Sequence, residues 1–344
     1  MWITVFFLVV LAAIVAVLYI YWRRKPYTVY QVNTHFNTSQ MSDSLYPPFD
    51  QLFTIEDDVQ KASLIFFTDY GEIDTYLPGL SVNPKALVYA ILGSDLMANK
   101  AILARYMDKR YIPATYVLGE DDVSRLPDSI YFLKKNVQRQ EGNLITRDVQ
   151  YVRDKAYKDG YVVCQELLSD PFLVNKRKIN MRVYLLITCF KSDLRMYIYD
   201  NGFMYYTPKF YEPDSTDKDV NVTTGYIDRK VYEENPLTHR DFYQWLGPEK
   251  SSRLRRNILE LFADFKSKYK DKLSSLNSDG RFNIFGTDIA PDKNLNVKIM
   301  EVNKAPDLSF KDKRDGEVKF NMVKDMLTLV SVLNVGDPSH WILL

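Results

Sequence analysis

The segment FNIFGTDIAPDKNLNVKIMEVN, residues 282–303, contains two apolar runs on either side of a turn. We predict strands near Phe282–Phe285 and at Val297–Val302, because short apolar runs bounded by turn residues are typical of buried strands. The turn residues Pro291–Asn294 separate the two runs. The segment therefore predicts two neighbouring strands that pair as a hairpin.

Two carboxylates and an amide follow these predicted strands. Asp288 comes just after the first strand, and Glu301 and Asn303 lie two residues apart on the second. Because side chains alternate along a strand, Glu301 and Asn303 share a face, and the hairpin brings Asp288 towards them. Three oxygen ligands of this kind suit Mg²⁺ that carries nucleotide phosphates. Taken alone, the same residues are also ordinary for strand ends and turns, and that alternative stays open here.

A second feature of the sequence is a set of cations near predicted strands. Lys134 follows a buried strand, and Lys178 and Arg182 lie four residues apart at the start of another. Extended backbone places residues four apart on the same face. Fixed cations beside a metal-bound triphosphate are what phosphoryl transfer requires, although a solvated strand edge has the same pattern. Gly142, the single glycine after Lys134, is a weak phosphate-loop signal.

The rest of the chain alternates between strand and helix patterns, with an irregular polar stretch at about 208–250. Further strands are predicted at Leu64–Phe67, Ala86–Ile91, Ile130–Leu133, Tyr161–Gln165, Arg182–Thr188 and Leu194–Tyr199. Helices are predicted at Asn99–Met107 and at Val318–Leu333. A third helix is predicted to begin after a cap at Ser251, and its apolar face consists of Leu254, Ile258, Leu261, Phe262, Phe265 and Tyr269. This mixture of hairpins and helices predicts an α+β fold, or α/β with an antiparallel component.

Composition excludes several classes of protein. The chain has 344 residues, and its 45 Lys and Arg nearly balance its 44 Asp and Glu. A general nucleic-acid binder carries a basic excess, so we expect no nucleic-acid partner. The two cysteines, Cys164 and Cys189, are too few for a disulfide scaffold or a four-cysteine zinc site. The three histidines lack the spacing of metal ligands, which argues against a multi-histidine site.

The amino-terminal segment differs from the rest of the chain. Residues 1–22 contain no charged side chain, and Arg23, Arg24 and Lys25 follow directly. About 20 apolar residues in a helix span the hydrocarbon core of a bilayer. We therefore predict a single-pass membrane anchor, with the basic flank and the following domain on the cytosolic side. A signal peptide or a buried helix is the alternative, but the basic residues lie on the wrong side for a signal peptide.

Six blocks, taken in order, carry a resemblance to a known family. The most specific are Lys178-Ile179-Asn180-Met181-Arg182 and Glu301-Val302-Asn303-Lys304-Ala305-Pro306. The blocks are Leu96–Leu103, Tyr111–Tyr116, Tyr131–Lys134, Arg139–Ile145, Val163–Tyr184, and Phe285–Asp288 together with Glu301–Pro306. In this order they resemble the tubulin–tyrosine ligase-like family, a branch of the ATP-grasp superfamily.

The resemblance implies a fold and a reaction. ATP would lie between two α+β subdomains of an ATP-grasp fold. We expect a tether at 23–60, a small amino-terminal α/β region at 61–100, a central subdomain at 101–168 and a carboxyl-terminal catalytic subdomain with an antiparallel sheet at 169–344. The implied enzyme is an ATP-dependent ligase. A carboxylate attacks the γ-phosphate of ATP to give an acyl phosphate, and an amine then displaces phosphate to form an amide or isopeptide bond.

The resemblance also assigns residues to roles, with ATP and Mg²⁺ as the implied cofactors. The expected catalytic residues are Lys178, Arg182 and Glu301. The expected ATP-binding residues are Lys100, Lys134, Gly142, Gln165, Glu166, Leu168, Lys178, Asn180 and Arg182, of which Gln165, Glu166 and Leu168 border the adenine. The expected metal ligands are Asp288, Glu301 and Asn303, and the expected substrate contacts are Tyr205, Thr223 and Thr224.

Four positions depart from the family pattern. Asn180 stands where the family has an aspartate, and Gln140 stands where it has a loop glycine. Tyr205 stands where the family has an arginine, and Val222-Thr223-Thr224 stands where the family has Leu-Thr-Asn, so that Thr224 replaces the asparagine. The last two positions leave glutamate, tyrosine and glycine open as the added amino acid, with tubulin or another protein as acceptor. The alternatives are a nucleotide-binding pseudoenzyme or scaffold at a membrane, and a ligase for a small-molecule or lipid-linked acceptor.

Overall fold

The computed structural model describes residues 27–32, 53–56, 58–67, 73–136, 142–334 and 336–344. The predicted anchor at 1–22 and the loop residue Gln140 lie outside the described residues, as does much of the predicted tether. Within the described part, every helix is too short or too polar to cross a bilayer. The description below therefore concerns the domain that follows the amino-terminal segment.

The described chain contains strands throughout its length. They are β1 (Tyr27–Val32), β2 (Phe53–Ile55), β3 (Leu64–Phe67), β4 (Leu87–Tyr89), β5 (Thr115–Val117), β6 (Tyr131–Lys134), β7 (Leu144–Thr146), β8 (Val163–Glu166), β9 (Leu173–Val174), β10 (Arg177–Phe190), β11 (Asp193–Tyr206), β12 (Arg281–Pro291), β13 (Val297–Asn303) and β14 (Trp341–Leu343).

Helices connect and cover these strands. They are α1 (Ile73–Tyr76), α2 (Ser94–Ala98), α3 (Lys100–Tyr106), α4 (Val149–Tyr151), α5 (Lys218–Asn221), α6 (Val231–Glu234), α7 (His239–Leu246), α8 (Pro248–Leu276) and α9 (Lys313–Leu329). A π-helical turn, Val152–Ala156, continues α4, and short 3₁₀ turns lie at Leu77–Gly79 and Pro338–His340. The predicted mixture of helices and sheets, an α+β class, is confirmed.

A large mixed sheet forms the body of the protein. Its strand order is β14-β11-β10-β12-β4-β3-β1-β2, with β13 added to β12 and β9 to β10. Strands β1 to β4 pair in parallel, whereas β10, β11, β12, β13 and β14 pair antiparallel. The strand β12 joins the two halves, because it also runs parallel to β4.

A smaller antiparallel sheet of four strands stands apart, in the order β5-β8-β6-β7. Its own small core includes Tyr131, Leu133, Val152 and Cys164, all of which are buried. Strand β6 ends at Lys134, whose ammonium donates a hydrogen bond to the Met300 carbonyl of β13 at 3.3 Å. The end of this small sheet therefore faces the β12–β13 hairpin of the large sheet.

Helix α8 packs its predicted apolar face on the large sheet. All six predicted positions, from Leu254 to Tyr269, are buried. The predicted cap at Ser251 is wrong, because the helix begins at Pro248 after Gly247. Proline is favoured at the first helical position, where its missing N–H costs nothing. The Ser251 hydroxyl donates within the helix to the Pro248 carbonyl at 3.1 Å.

Several predicted boundaries shift for identifiable reasons. The last helix is α9, at 313–329 rather than 318–333, because Asp312 caps it by accepting a hydrogen bond from the Asp315 amide at 2.9 Å. The central hairpin is longer than predicted, and Lys191 and Ser192 turn it with φ of 52° and 60°. The predicted irregular stretch contains α5, α6 and α7, and Thr238 and Asp241 form a capping box at the start of α7.

Candidate active site

Three adjacent antiparallel strands bring the predicted metal ligands together. Arg182 of β10 lies opposite Asp288 of β12, which lies opposite Glu301 of β13. The Arg182 guanidinium donates to both carboxylate oxygens of Asp288, from Nε at 2.5 Å and from Nη2 at 3.0 Å. The Asn303 amide donates to Glu301 Oε1 at 3.1 Å. The structure therefore places Asp288, Glu301 and Asn303 in one group, with Arg182 fixed beside it.

The two carboxylates remain ionised at neutral pH for different reasons. Burial raises the pKa of Asp288 to about 6, and the facing Arg182 opposes that rise. Burial also opposes ionisation of Glu301, but Lys100, Lys134 and the Asn303 amide outweigh it and lower its pKa. Both side chains are thus negative and positioned to accept a cation.

Lys134 enters the site from the end of the small sheet. Its side chain is buried, and its Nζ donates to Gln165 Oε1 at 2.7 Å and to the Met300 carbonyl at 3.3 Å. Burial lowers the pKa of Lys134 to about 8, and the nearby Glu301 opposes that shift. The ammonium is therefore mostly charged at neutral pH, and its hydrogen-bond acceptors are neutral.

Gln165 supports Lys134 rather than lining the cavity. Its Nε2 donates to the Thr115 hydroxyl at 2.9 Å, and that hydroxyl donates to the Pro113 carbonyl at 2.7 Å. The amide oxygen is therefore held towards Lys134. The strand pairing of Thr115 with Gln165 fixes this chain of hydrogen bonds. The predicted border of Gln165 with adenine would have to use its backbone, because both ends of the side chain are engaged.

Lys178 has a similar environment on β10. It is buried, its Nζ donates to Asn221 Oδ1 at 2.8 Å, and it lies over the Tyr211 ring. Burial lowers its pKa to about 8. Asn221 is held in turn by the Ser215 carbonyl at 2.6 Å and the Asp217 carbonyl at 3.0 Å. Lys178 thus presents a second ammonium group with a neutral acceptor.

Two adjoining cavities meet at the metal-ligand group. The first, about 90 Å³, has Lys134, Leu168, Lys178, Asn180, Thr223, Asp288 and Glu301 among its lining residues. The second, about 360 Å³, has Arg182, Tyr205, Thr223, Thr224, Asp288, Glu301 and Asn303 among its lining residues. We call them, after the ligands proposed for them below, the nucleotide cavity and the substrate cavity. They share Thr223, Asp288 and Glu301, so the carboxylates lie where the two cavities meet.

Four predicted residues line neither cavity. Lys100 begins α3, and its charge helps to lower the pKa of Glu301. Gly142 is exposed, has φ of +67° and lies beside Lys135. Glu166 is half-buried at the end of β8, opposite Tyr131. The fourth is Gln165, described above. Asn180 and Leu168 line the nucleotide cavity, and the Arg182 guanidinium carbon lies 5.0 Å from the centre of the Tyr205 ring.

The donor set at the junction fits a hard divalent cation. It comprises two buried or half-buried carboxylates and one amide, all of oxygen-donor type. In the described part of the chain, no group of three or more His, Cys, Asp or Glu side chains is suited to a metal. Mg²⁺ needs fewer, since it is usually held by one or two carboxylates together with substrate phosphates. Asp288, Glu301 and Asn303 would be the protein ligands.

Sequence reasoning assigns no role to some residues of the site. Asn221 lies in the stretch predicted to be irregular, and Thr115 lies in the Tyr111–Tyr116 block of the family resemblance without a role of its own. Lys304, next to Asn303, forms an ion pair with Asp95 of α2. Only the three-dimensional packing of α2 against β13 shows that Asp95 lies near the end of β13.

Comparison with known proteins now decides the family. A family model described as the tubulin-tyrosine ligase family matches residues 111–339. The chain belongs to the tubulin-tyrosine ligase family. The match covers the small sheet, both cavities and the predicted metal ligands, whereas α2 and Lys100 precede it.

Similar proteins of the tubulin-tyrosine ligase family come from several animals. The chain is 23% identical over 240 residues to a probable tubulin polyglutamylase, ttll-9, of Caenorhabditis elegans, covering 64% of this chain and 57% of that protein. It is 28% identical over 283 residues to mouse tubulin polyglutamylase TTLL6, covering 70% and 34%. It is 20% identical over 311 residues to human tubulin polyglutamylase TTLL7, covering 80% and 34%. The chain thus spans about a third to three fifths of these relatives.

Proposed function

We propose that this protein is an ATP-dependent ligase that adds glutamate to a protein carboxylate, with tubulin as acceptor. The observation that carries the proposal is the charge arrangement in the nucleotide cavity. Lys134 and Lys178 have only neutral hydrogen-bond acceptors and form no ion pair within the described part of the chain. They line the same cavity as the carboxylates of Asp288 and Glu301.

Such an arrangement suits a polyphosphate bound together with a divalent cation. Two buried ammonium groups attract phosphate oxygens, and two carboxylates would repel them unless a metal lies between. Mg²⁺ supplies positive charge that bridges phosphate oxygens in phosphoryl transfer. Asp288, Glu301 and Asn303 would hold it, while Lys134 and Lys178 would bind and orient the phosphates from the other side. Positioning and charge stabilisation are the main contributions that a protein makes to this chemistry.

The proposed reaction has two steps. The acceptor carboxylate attacks the γ-phosphorus, and the bond from that phosphorus to the bridging oxygen breaks as ADP leaves. The amine of glutamate then forms a bond to the acyl carbon, phosphate leaves, and the amine loses a proton to solvent. Arg182, fixed on Asp288 at the junction of the cavities, is positioned to stabilise the negative charge of the transferred group. No side-chain nucleophile is needed.

Glutamate is favoured over tyrosine and glycine by the relatives. The similar proteins named above are called tubulin polyglutamylases or probable tubulin polyglutamylases. Tubulin as acceptor has the same support. The substitutions at Tyr205 and Thr224 lie in the substrate cavity, so the choice of amino acid needs a direct test.

The test is incorporation of radiolabelled amino acids by the full chain. Purified protein, Mg²⁺, ATP and microtubules are incubated with labelled glutamate, glycine or tyrosine in parallel. We expect label from glutamate in the tubulin band, dependent on ATP and absent in Glu301→Gln. Label from glycine or tyrosine instead would change the amino acid and keep the ligase. No incorporation of any label, despite proven Mg-ATP binding, would favour the pseudoenzyme.

We also propose that residues 1–22 anchor the protein in a membrane, with the catalytic domain in the cytosol. The support is the uncharged segment and the basic residues that follow it. Alkaline extraction of membranes from cells that express the full chain or residues 26–344 tests the anchor. The full chain should stay in the membrane pellet, and its release by alkali would contradict the proposal.

A further inference from the structure

The proposed metal ligand Asn303 lies at the very end of its strand. It is the last residue of β13, and the chain leaves the sheet at Lys304. Asn303 pairs with Gly286 of β12, and its amide donates to Glu301 Oε1 at 3.1 Å and to the Gly286 carbonyl at 3.4 Å. The ends of secondary-structure elements open more readily than their centres. The orientation of Asn303 therefore depends on what holds the residue that follows it.

Lys304 is held through both its backbone and its side chain. Its carbonyl accepts a hydrogen bond from the amide of the buried Asn283 at 3.4 Å. Its side chain is only 8% exposed, and its ammonium forms an ion pair with Asp95 of α2, whose side chain is 49% exposed. Successive side chains of an extended chain point to opposite faces. The ion pair thus fixes β13 from the face opposite to Asn303.

The start of α2 is a rigid anchor for this ion pair. The Asp74 carboxylate accepts hydrogen bonds from the Gly93 amide at 2.6 Å and from the Asp95 amide at 3.2 Å. The Asn277 side chain accepts from the Leu92 amide at 2.8 Å and donates to the Leu92 carbonyl at 2.9 Å, which ties the start of α2 to the end of α8. The backbone of Asp95 is therefore fixed independently of its carboxylate.

The ion pair joins two distant parts of the chain. Asp95 and Lys304 are 209 positions apart. Lys304 lies within the residues that the family model matches, whereas Asp95 precedes them, because the match begins at residue 111. The amino-terminal region thus contacts the strand that carries two of the proposed metal ligands.

We propose that Asp95 is a positioning residue for cation binding, which acts through Lys304 to hold Asn303 in the orientation that a divalent cation requires. This inference rests on the proposed nucleotide and metal site, and it adds a residue that supports the site from the amino-terminal region. Groups that orient a metal ligand contribute about 10- to 100-fold to metal affinity. Because Asp95 acts through Lys304, we expect the lower end of that range, about 10-fold.

A purely electrostatic role for the pair makes a different prediction. If only charge mattered, removing the Asp95 carboxylate would weaken cation binding, and removing the Lys304 ammonium would strengthen it. Positioning predicts that Asp95→Ala and Lys304→Met both weaken cation binding, because each breaks the same ion pair. The direction of the effect of Lys304→Met therefore separates the two roles.

The test uses Mn²⁺ as the probe, because its electron paramagnetic resonance signal measures the free ion. Mn²⁺ is titrated into the full chain with a non-hydrolysable ATP analogue, and the same titration of the analogue alone corrects for Mn²⁺ bound in solution. Asp95→Ala and Lys304→Met should each raise the dissociation constant of Mn²⁺ about 10-fold. Asp193→Ala is the matched control and should bind Mn²⁺ as the wild type does. It removes a carboxylate of similar exposure, 47%, from an ion pair with Arg195 at the β10–β11 turn.

A second comparison tests whether the effect passes through Asn303. In Asn303→Ala the amide ligand is already absent, so adding Asp95→Ala should change the Mn²⁺ affinity by less than about twofold. Melting temperatures without ligand measure damage to the fold separately, since breaking a buried pair can destabilise the protein. Lys304→Met removes the buried ammonium and keeps an unbranched side chain, so it remains informative if Asp95→Ala does not fold.

The positioning role and the metal site fail in different ways. Unchanged Mn²⁺ affinity in Asp95→Ala and Lys304→Met would overturn the positioning role. Tighter binding by Lys304→Met, or a full effect of Asp95→Ala in the Asn303→Ala background, would also overturn it. The metal site would stand in these cases if the wild type binds Mn²⁺ and Glu301→Gln does not. Absence of Mn²⁺ binding by the wild type would overturn both the site and this inference.

Discussion

Replacing Gln165 by leucine should weaken ATP binding through Lys134, without touching the nucleotide. Gln165 Oε1 accepts a hydrogen bond from the buried Lys134 ammonium at 2.7 Å, and the leucine would remove that acceptor. A hydrogen bond to a charged group contributes about 1.5–3 kcal/mol, and one pKa unit corresponds to about 1.4 kcal/mol. The pKa of Lys134, about 8 in the wild type, should therefore fall by about one to two units.

The direction of the pH dependence follows from this shift. Lys134 loses its charge as the pH rises past its pKa. The affinity for phosphate should therefore decline as the pH rises past about 8 in the wild type and past about 6–7 in the variant. If only the charged form binds phosphate, the variant should bind about 3- to 25-fold more weakly at pH 7.5 and about twofold more weakly or less at pH 6.

Calorimetric titration of a non-hydrolysable ATP analogue with Mg²⁺, from pH 6 to 9, measures this difference. The ratio of variant to wild-type affinity cancels the titration of the nucleotide itself. Gln244→Leu, at an exposed position of α7, is the matched control. Thr115→Val should give a smaller effect in the same direction, because it only releases Gln165. An affinity ratio that stays constant with pH would refute the role given to Gln165.

Three further predictions concern stability. His239 is buried, and burial lowers its pKa to about 3. In the unfolded chain the same imidazole has a pKa of about 6.5, so it takes up a proton there first, and the free energy of unfolding decreases as the pH falls below about 6.5. The wild type should lose about 2 kcal/mol between pH 7 and pH 5 that His239→Gln does not lose, as measured by urea unfolding at both values. Phe265→Ala should lower the free energy of unfolding by about 3–5 kcal/mol, because Phe265 is fully buried on the apolar face of α8. A loss below about 1 kcal/mol would contradict that packing. Asn99→Ala should cost about 0.5–2 kcal/mol, since Asn99 Oδ1 accepts from the Ala101 and Ile102 amides at the start of α3, and an unchanged unfolding midpoint would contradict the cap.

The metal-ligand group could be predicted from the sequence because it depends on local features of the chain. A hairpin and the two-residue period of a strand are sufficient to bring Asp288, Glu301 and Asn303 to one place. The same period puts Lys178 and Arg182 on one face of β10. The predicted strands at Phe282–Phe285 and Arg182–Thr188 were too short, because β12 also contains Asp288 and β10 also contains Lys178. The antiparallel register then pairs Arg182 with Asp288 and Asp288 with Glu301.

Other parts of the site depend on contacts that the sequence does not encode locally. Lys134 and Gln165 are 31 positions apart, and the hydrogen bond between them exists only because β6 and β8 pair. Asn221 follows no periodic pattern, and its role comes from a short helix brought over β10. Long-range packing, which single-sequence patterns do not specify, brings these groups together.

The predicted starts of helices α8 and α9 were wrong, because residue type alone does not decide which of two possible residues caps a helix. Ser251 is a favourable cap, but Pro248 at the first helical position starts α8 one turn earlier. Asp312 is an equally favourable cap, and it starts α9 five residues before the predicted boundary. In both cases the competing start signal lies in the sequence, and the tertiary structure decides between the two.

Mg²⁺-dependent ATP binding tests the central claim most directly. The melting temperature of the full chain is measured with and without Mg²⁺ and a non-hydrolysable ATP analogue, beside Glu301→Gln and the exposed control Glu260→Gln. A ligand that binds only the folded state raises the melting temperature. Wild type and Glu260→Gln should be stabilised by the analogue only when Mg²⁺ is present, and Glu301→Gln much less. Equal stabilisation of all three proteins, or of none, would contradict a nucleotide site built on Asp288, Glu301 and Asn303.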